Sequence, residues 1–126
     1  MSVLVVDDNR GTRNALDLWL ARLGYDSVLC GDAEEGLRKL REMKKRGHLV
    51  EAILTDHVLP DQTGLEFIMV CRKFFPELKA VLISGYQDEK LRIKARELPN
   101  CRFLAKPFTS DDLRRIFQEL EQTDAA

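Results

Sequence analysis

Five short apolar runs, almost evenly spaced and without polar alternation, constrain this chain more than any other feature. They are Ser2 to Val6, Ser27 to Cys30, Ala52 to Thr55, Ala80 to Ile83 and Arg102 to Ala105. Rich in Val, Ile and Leu, such runs are what strands look like when both faces are buried, as in a parallel sheet. The gaps between them carry helical spacing. Leu16, Trp19, Leu20 and Leu23 fall at i, i+3, i+4, i+7, and Gly24 supplies a stop. Ala33, Leu37 and Leu40 mark a second helix, ending in Lys44-Lys45-Arg46 before Gly47. Leu65, Phe67, Ile68, Met69 and Cys71 mark a third. Leu91, Ala95 and Leu98 mark a weaker fourth, closed by Pro99, and Leu113, Ile116, Phe117 and Leu120 a fifth with Ser110 as its N-cap. The alternation predicts an α/β fold: a doubly wound five-stranded parallel sheet, order 2-1-3-4-5, with five helices on its two faces and right-handed crossovers.

At 126 residues the chain has room for one domain, read as residues 1–121 with a frayed tail at 122–126. Hydrophobic residues at 44% and charged residues at 33% exclude disorder and a membrane protein, and a net charge of −1 argues against a nucleic-acid surface. Cys30, Cys71 and Cys101 form no C-x-x-C pair, and His48 and His57 are too scattered for zinc. The cysteines read as small buried hydrophobes in a reducing compartment. With no leader and no long apolar run, the cytoplasm is the expected location. The basic cluster Arg41, Lys44, Lys45 and Arg46 reads as a solvated helix end.

In open α/β sheets, ligands bind beyond the carboxyl ends of the strands, at the switch in strand order. Asp7-Asp8 stand at the end of the first run, Asp56 at the third, Ser84 at the fourth and Lys106 at the fifth. Taken singly these residues have ordinary explanations: Asp8 or Asn9 as a helix cap, Ser84 in a turn, Lys106 on the surface. Asp56, flanked by apolar residues, would need a partner. Together they describe one pocket. Three carboxylates repel unless a cation joins them, and hard oxygen donors without cysteine or histidine favour Mg²⁺. A cation, a lysine and a hydroxyl donor suit a phosphoryl group, with one carboxylate as nucleophile. No glycine-rich nucleotide loop occurs.

These residues resemble the receiver domain of two-component response regulators over nearly the whole length. The matching pieces are LVVDDN, ILTDHVLPDQTG, VLISG and FLAKPF, in the family's order and spacing. The resemblance implies a flavodoxin-like three-layer sandwich. It implies that Asp56 is the phosphoacceptor, and that Asp7, Asp8, Asp56 and the Val58 carbonyl hold Mg²⁺. Lys106 would pair with the phosphoryl oxygens, Pro107 is similar to the family's cis proline, and Ser84 and Phe103 would form the conformational switch. The implied partners are a histidine kinase or histidine phosphotransfer protein, an output domain or hybrid-kinase core in a longer chain, and a second copy through the fourth helix, fifth strand and fifth helix. Direct nucleic-acid or membrane binding is not expected. The chain would be a self-modifying switch of bacterial signalling rather than a turnover enzyme.

The chain departs from the family pattern at several points. Phe103 stands where tyrosine is common, and Pro99-Asn100-Cys101 where a glycine-containing turn is common. Apolar Val58 and bulky Tyr86 are expected to slow attacking water and lengthen the life of the phospho-form. Gly64 suits a turn needing positive φ or close backbone approach. Alternatives are an unphosphorylated pseudo-receiver acting by protein contact, a haloacid-dehalogenase-type phosphatase, which would want D-x-D where Asn9 stands, and a flavin protein, whose phosphate Asp7-Asp8 would repel.

Overall fold

The structure, a computed structural model, describes residues 1–85 and 88–122, so Tyr86 and positions 123–126 of the expected tail lie outside it. The elements run β1 (Ser2–Val6), α1 (Arg10–Arg22), β2 (Asp26–Cys30), α2 (Ala33–Lys45), β3 (Ala52–Asp56), α3 (Gly64–Phe74), β4 (Lys79–Gly85), α4 (Glu89–Glu97), β5 (Cys101–Lys106) and α5 (Ser110–Gln122). One sheet has the order β2-β1-β3-β4-β5, with every pairing parallel. The expected fold class is the observed one.

Alternate residues of each central strand serve opposite layers. Val3, Val5, Leu54, Val81 and Ile83 meet Leu16, Leu20, Leu113, Phe117 and Leu120 of α1 and α5. Their neighbours Leu4, Val6 and Ile53 pack on Ala33, Leu40, Phe67 and Cys71 of α2 and α3, while Ala80 and Leu82 meet Leu91 and Ala95 of α4. Two apolar faces explain why no polar alternation shows in the sequence. Each fully buried Leu, Ile or Phe contributes about 2 kcal/mol of transfer free energy. Burial on both faces holds for β1, β3 and β4 but not at the edges. In β2 only Cys30 is buried, and in β5 only Cys101 and Leu104. An edge strand has one neighbour, and its covering helix shields it incompletely.

Caps set the helix starts. The side chains of Asn9, Asp32, Thr63 and Asp88 accept from the amides of Thr12, Glu35, Glu66 and Leu91. For α5 the expected cap shifts by one residue: Ser110 is already helical, and Thr109 makes the cap. Asp112 N–H donates to Thr109 Oγ1 at 3.1 Å, and Thr109 N–H donates to Asp112 Oδ2 at 2.9 Å. Only Thr109 has a carboxylate three residues on to complete that reciprocal pair. The non-glycine turn after α4 is accommodated by Asn100 at φ 52°, a region that asparagine tolerates.

Two side chains brace the fold over long sequence distances. Arg72 of α3 donates from Nε to the Leu78 carbonyl at 3.1 Å and from Nη2 to the Asn100 carbonyl at 3.0 Å. Asp61, in the loop after β3, accepts from the Ala33 and Glu34 amides at 3.1 and 2.9 Å, at the N-terminus of α2. Partial desolvation, the largest single influence on Asp61, works upward, but these amides and those of its own loop outweigh it and hold its carboxyl below the ordinary value of 3.8. A depressed native pKa means that the unfolded state binds more protons between the two values. The stabilisation is then complete above pH 3.8 and is lost as pH falls through the native value. Asp61→Asn is expected to flatten the decline of the thermal midpoint between about pH 5 and pH 3; an unchanged acid limb would contradict this.

The three cysteines are free and buried, and burial pushes the Cys30 and Cys71 thiols up to about 12. They pack as hydrophobes. Among the described residues, no helix is long and apolar enough to cross a membrane.

Candidate functional site

The crossover from β2 to β3 places β1 and β3 side by side, so their carboxyl ends meet. Asp7 and Asp8 follow β1 directly, and Asp56 is the last residue of β3. One carboxylate oxygen from each of Asp7, Asp8 and Asp56 lies within 4.8 Å of the others. Asp7 and Asp56 are buried, 2% and 8% exposed, while Asp8 faces solvent. Lys106, closing β5, reaches across β4 to place Nζ 3.2 Å from Asp56 Oδ1. The Lys106–Pro107 peptide is cis, as the resemblance implied.

Local structure fixes the acidic corner. Asp7 Oδ1 accepts the Asn9 N–H at 2.8 Å, and Arg13, one turn into α1, donates from Nη1 to the Asp7 carbonyl at 2.7 Å. Asp7 Oδ2 is buried with no hydrogen-bond partner. Burial above all, opposed by the Asn9 amide and reinforced by the charge of Asp56, pushes the Asp7 carboxyl above its ordinary value. An orphaned buried oxygen between two further carboxylates fits a small hard cation, which would supply the missing partner. Asp7→Asn should therefore raise the thermal midpoint of metal-free protein by roughly 4 °C. It should also abolish the further rise that Mg²⁺ produces by binding the native state. A midpoint lowered without metal, or a full Mg²⁺ response in the variant, would be the contrary result.

The register places the other expected residues. Asp56 is opposite Ile83, so Ser84 stands one step beyond it on β4, buried and paired with Ala105. Phe103 is opposite Leu82, half-buried against the α4 layer, with the Arg92 guanidinium 4.9 Å from its ring centroid. Val58, 73% exposed, bridges to Thr63 and closes the loop after β3. Gly64 answers the choice left open by the sequence: close approach decides it, not positive φ. A Cβ there would overlap the Asp56 carbonyl oxygen and come within 2.9 Å of His57 Cα and Leu82 Cδ1. Sequence reasoning missed Arg13 and Asp61, whose targets are backbone groups and leave no spacing signal.

The response regulator receiver domain family model matches residues 3–118. Similar curated proteins include the DNA-binding transcriptional regulator NtrC of Azospirillum brasilense, 33% identical over 96% of this chain and 24% of its own length. The transcriptional regulatory protein AruR of Pseudomonas aeruginosa is 35% identical over 88% of this chain and 45% of its own. Among solved structures, a CheX–CheY–BeF3–Mg²⁺ complex from Borrelia burgdorferi superposes with a TM-score of 0.86 at 19% identity, over 96% of this chain and 89% of that one. The chain belongs to the receiver domain family of two-component response regulators. It spans less than half the length of the two curated regulators.

Proposed function

We propose that this receiver accepts a phosphoryl group on Asp56 from a phosphohistidine of a histidine kinase or phosphotransfer protein, with Mg²⁺ at Asp7, Asp8 and Asp56 and the Val58 carbonyl as a further ligand. The observation that carries this is the meeting of three carboxylates with Lys106 at 3.2 Å from Asp56, drawn from three strands. An Asp56 oxygen attacks phosphorus, the P–N bond breaks, and the imidazole leaves with a proton. Mg²⁺ held by Asp7, Asp8 and Asp56 would supply neutralisation of the charge that develops on the phosphoryl oxygens. Lys106, already paired with Asp56, neutralises charge on a phosphoryl oxygen, and Ser84 donates a hydrogen bond from β4. The modification then biases two packings of Ser84 and Phe103 on the α4–β5–α5 side. That biased face controls an output domain, a kinase core or a second copy of this chain.

The chain acts as a self-modified cytoplasmic switch and not as a turnover enzyme. The intact acid, hydroxyl and lysine set favours this over an unphosphorylated interaction module. Acetyl phosphate with Mg²⁺ should add one phosphoryl group by intact mass, and chelation should prevent it. After donor removal the adduct should persist for minutes, because exposed apolar Val58 gives attacking water no hydrogen-bonding guide. Absence of the adduct would favour the interaction module, and decay within seconds would remove the shielding role of Val58.

A further inference from the structure

At the rim opposite the acidic site, the amino ends of β3 and β4 and the C-terminal ends of α2 and α3 enclose a groove of about 800 Å³. Its walls include Leu49, Phe74, Phe75 and Lys44. Leu49 is 66% exposed and Phe74 49%, which places two large apolar side chains together in solvent. Isolated exposed apolar residues are ordinary, but neighbours lining one concavity mark a recognition surface.

The charge beside this groove exceeds what the helix needs. Arg41, Lys44, Lys45 and Arg46 are all exposed, in a chain whose net charge is −1. The C-terminal dipole of α2 amounts to roughly half an elementary charge, so one cation suffices to offset it. Two of the four are turned toward the groove: the Arg41 guanidinium lies 4.7 Å from the centroid of Phe74, and Lys44 Nζ lies 5.2 Å from that of Phe75. Cation–π contact holds their charge at the edge of the apolar floor. The solvated helix end read from sequence is therefore also one wall of a cavity.

We infer that this groove docks an acidic amphipathic segment of a partner protein, with aliphatic or aromatic side chains on Leu49 and Phe74 and carboxylates against the end of α2. Charge complementarity selects the anion, and the concave floor selects a peptide over a bilayer or nucleic acid. Glu51 and Glu77 also line the groove and repel a uniform polyanion. The surface lies at the rim opposite Asp56, so docking and phosphoryl uptake are separable.

The probe is a fluorescein-labelled peptide of Asp and Glu with Leu and Phe at helical spacing, titrated with the whole chain and read by anisotropy. A control peptide carries Lys in place of every acid. The acidic peptide should bind saturably, more weakly as salt rises. Leu49→Ser, and separately the pair Lys45→Glu and Arg46→Glu, should each weaken it about tenfold. Both variants alter exposed residues, and phosphoryl uptake from acetyl phosphate reports that they are folded. Equal binding of the Lys peptide, or unchanged binding in both variants, would overturn the assignment. Tighter binding to phosphatidylglycerol–phosphatidylcholine vesicles, lost in the same variants, would replace it with a membrane surface.

Discussion

Asp56→Asn is expected to abolish phosphoryl uptake while leaving the protein folded. Asparagine preserves shape but not the anionic oxygen that must attack phosphorus, and its amide nitrogen is no substitute nucleophile at neutral pH. The loss should be complete by intact mass after prolonged exposure to acetyl phosphate and Mg²⁺. The fold tolerates the change because Asp56 lies at the end of β3, where its charge meets Lys106 on one side and the like charges of Asp7 and Asp8 on the other. Removing a carboxylate relieves repulsion while costing one partly exposed ion pair, so the thermal midpoint should move by no more than about 5 °C. A stoichiometric adduct on the variant would show that another residue accepts the group.

Gly64→Ala carries the largest expected cost in stability. The added methyl would overlap the Asp56 carbonyl oxygen and press on His57 Cα and Leu82 Cδ1, each 2.9 Å away. Two of these three obstacles are backbone and cannot rotate aside. The same glycine starts α3 and donates its N–H to the His57 carbonyl at 2.7 Å, so retreat of the helix would break that bond too. Overpacking of this kind costs about 3 kcal/mol, or roughly 10 °C in the thermal midpoint. Because the clash falls on Asp56 itself, uptake in the surviving folded protein should also slow. A midpoint within about 2 °C of wild type would mean that the loop yields freely, against the contacts described.

How far each feature could be read from sequence follows from its range. The central strands were legible because Val3 to Val6, Ala52 to Leu54 and Val81 to Ile83 are apolar at every position, which few structures other than a two-faced sheet accommodate. The site residues were legible because a parallel sheet sends every strand's carboxyl end to the same rim. Asp7, Asp8, Asp56, Ser84 and Lys106 could thus be gathered from sequence position alone. Element ends were less legible. Both Thr109 and Ser110 can cap, and only a partner three residues on, Asp112, decides between them. The reach of Asp61 to α2 and of Arg72 to two loops was not legible, since a long side chain bonded to distant carbonyls or amides imposes no periodicity. The edge strands misled because the composition of β2 and β5 matches their neighbours, although each lacks a second flanking strand.

The fork of Arg72 has a mechanical consequence. By gripping the carbonyls just before β4 and β5 with one rigid plane, it joins the two strands at their amino ends, while Gly85 and Lys106 at the other end are paired by the ladder. In the proposed switch, a displacement of Ser84 or Phe103 would therefore swing about a pinned base, with travel growing toward the tip. The same guanidinium holds the backbone at Leu78 and Asn100, both of which line the far groove, so the proposed switch would leave that groove in place.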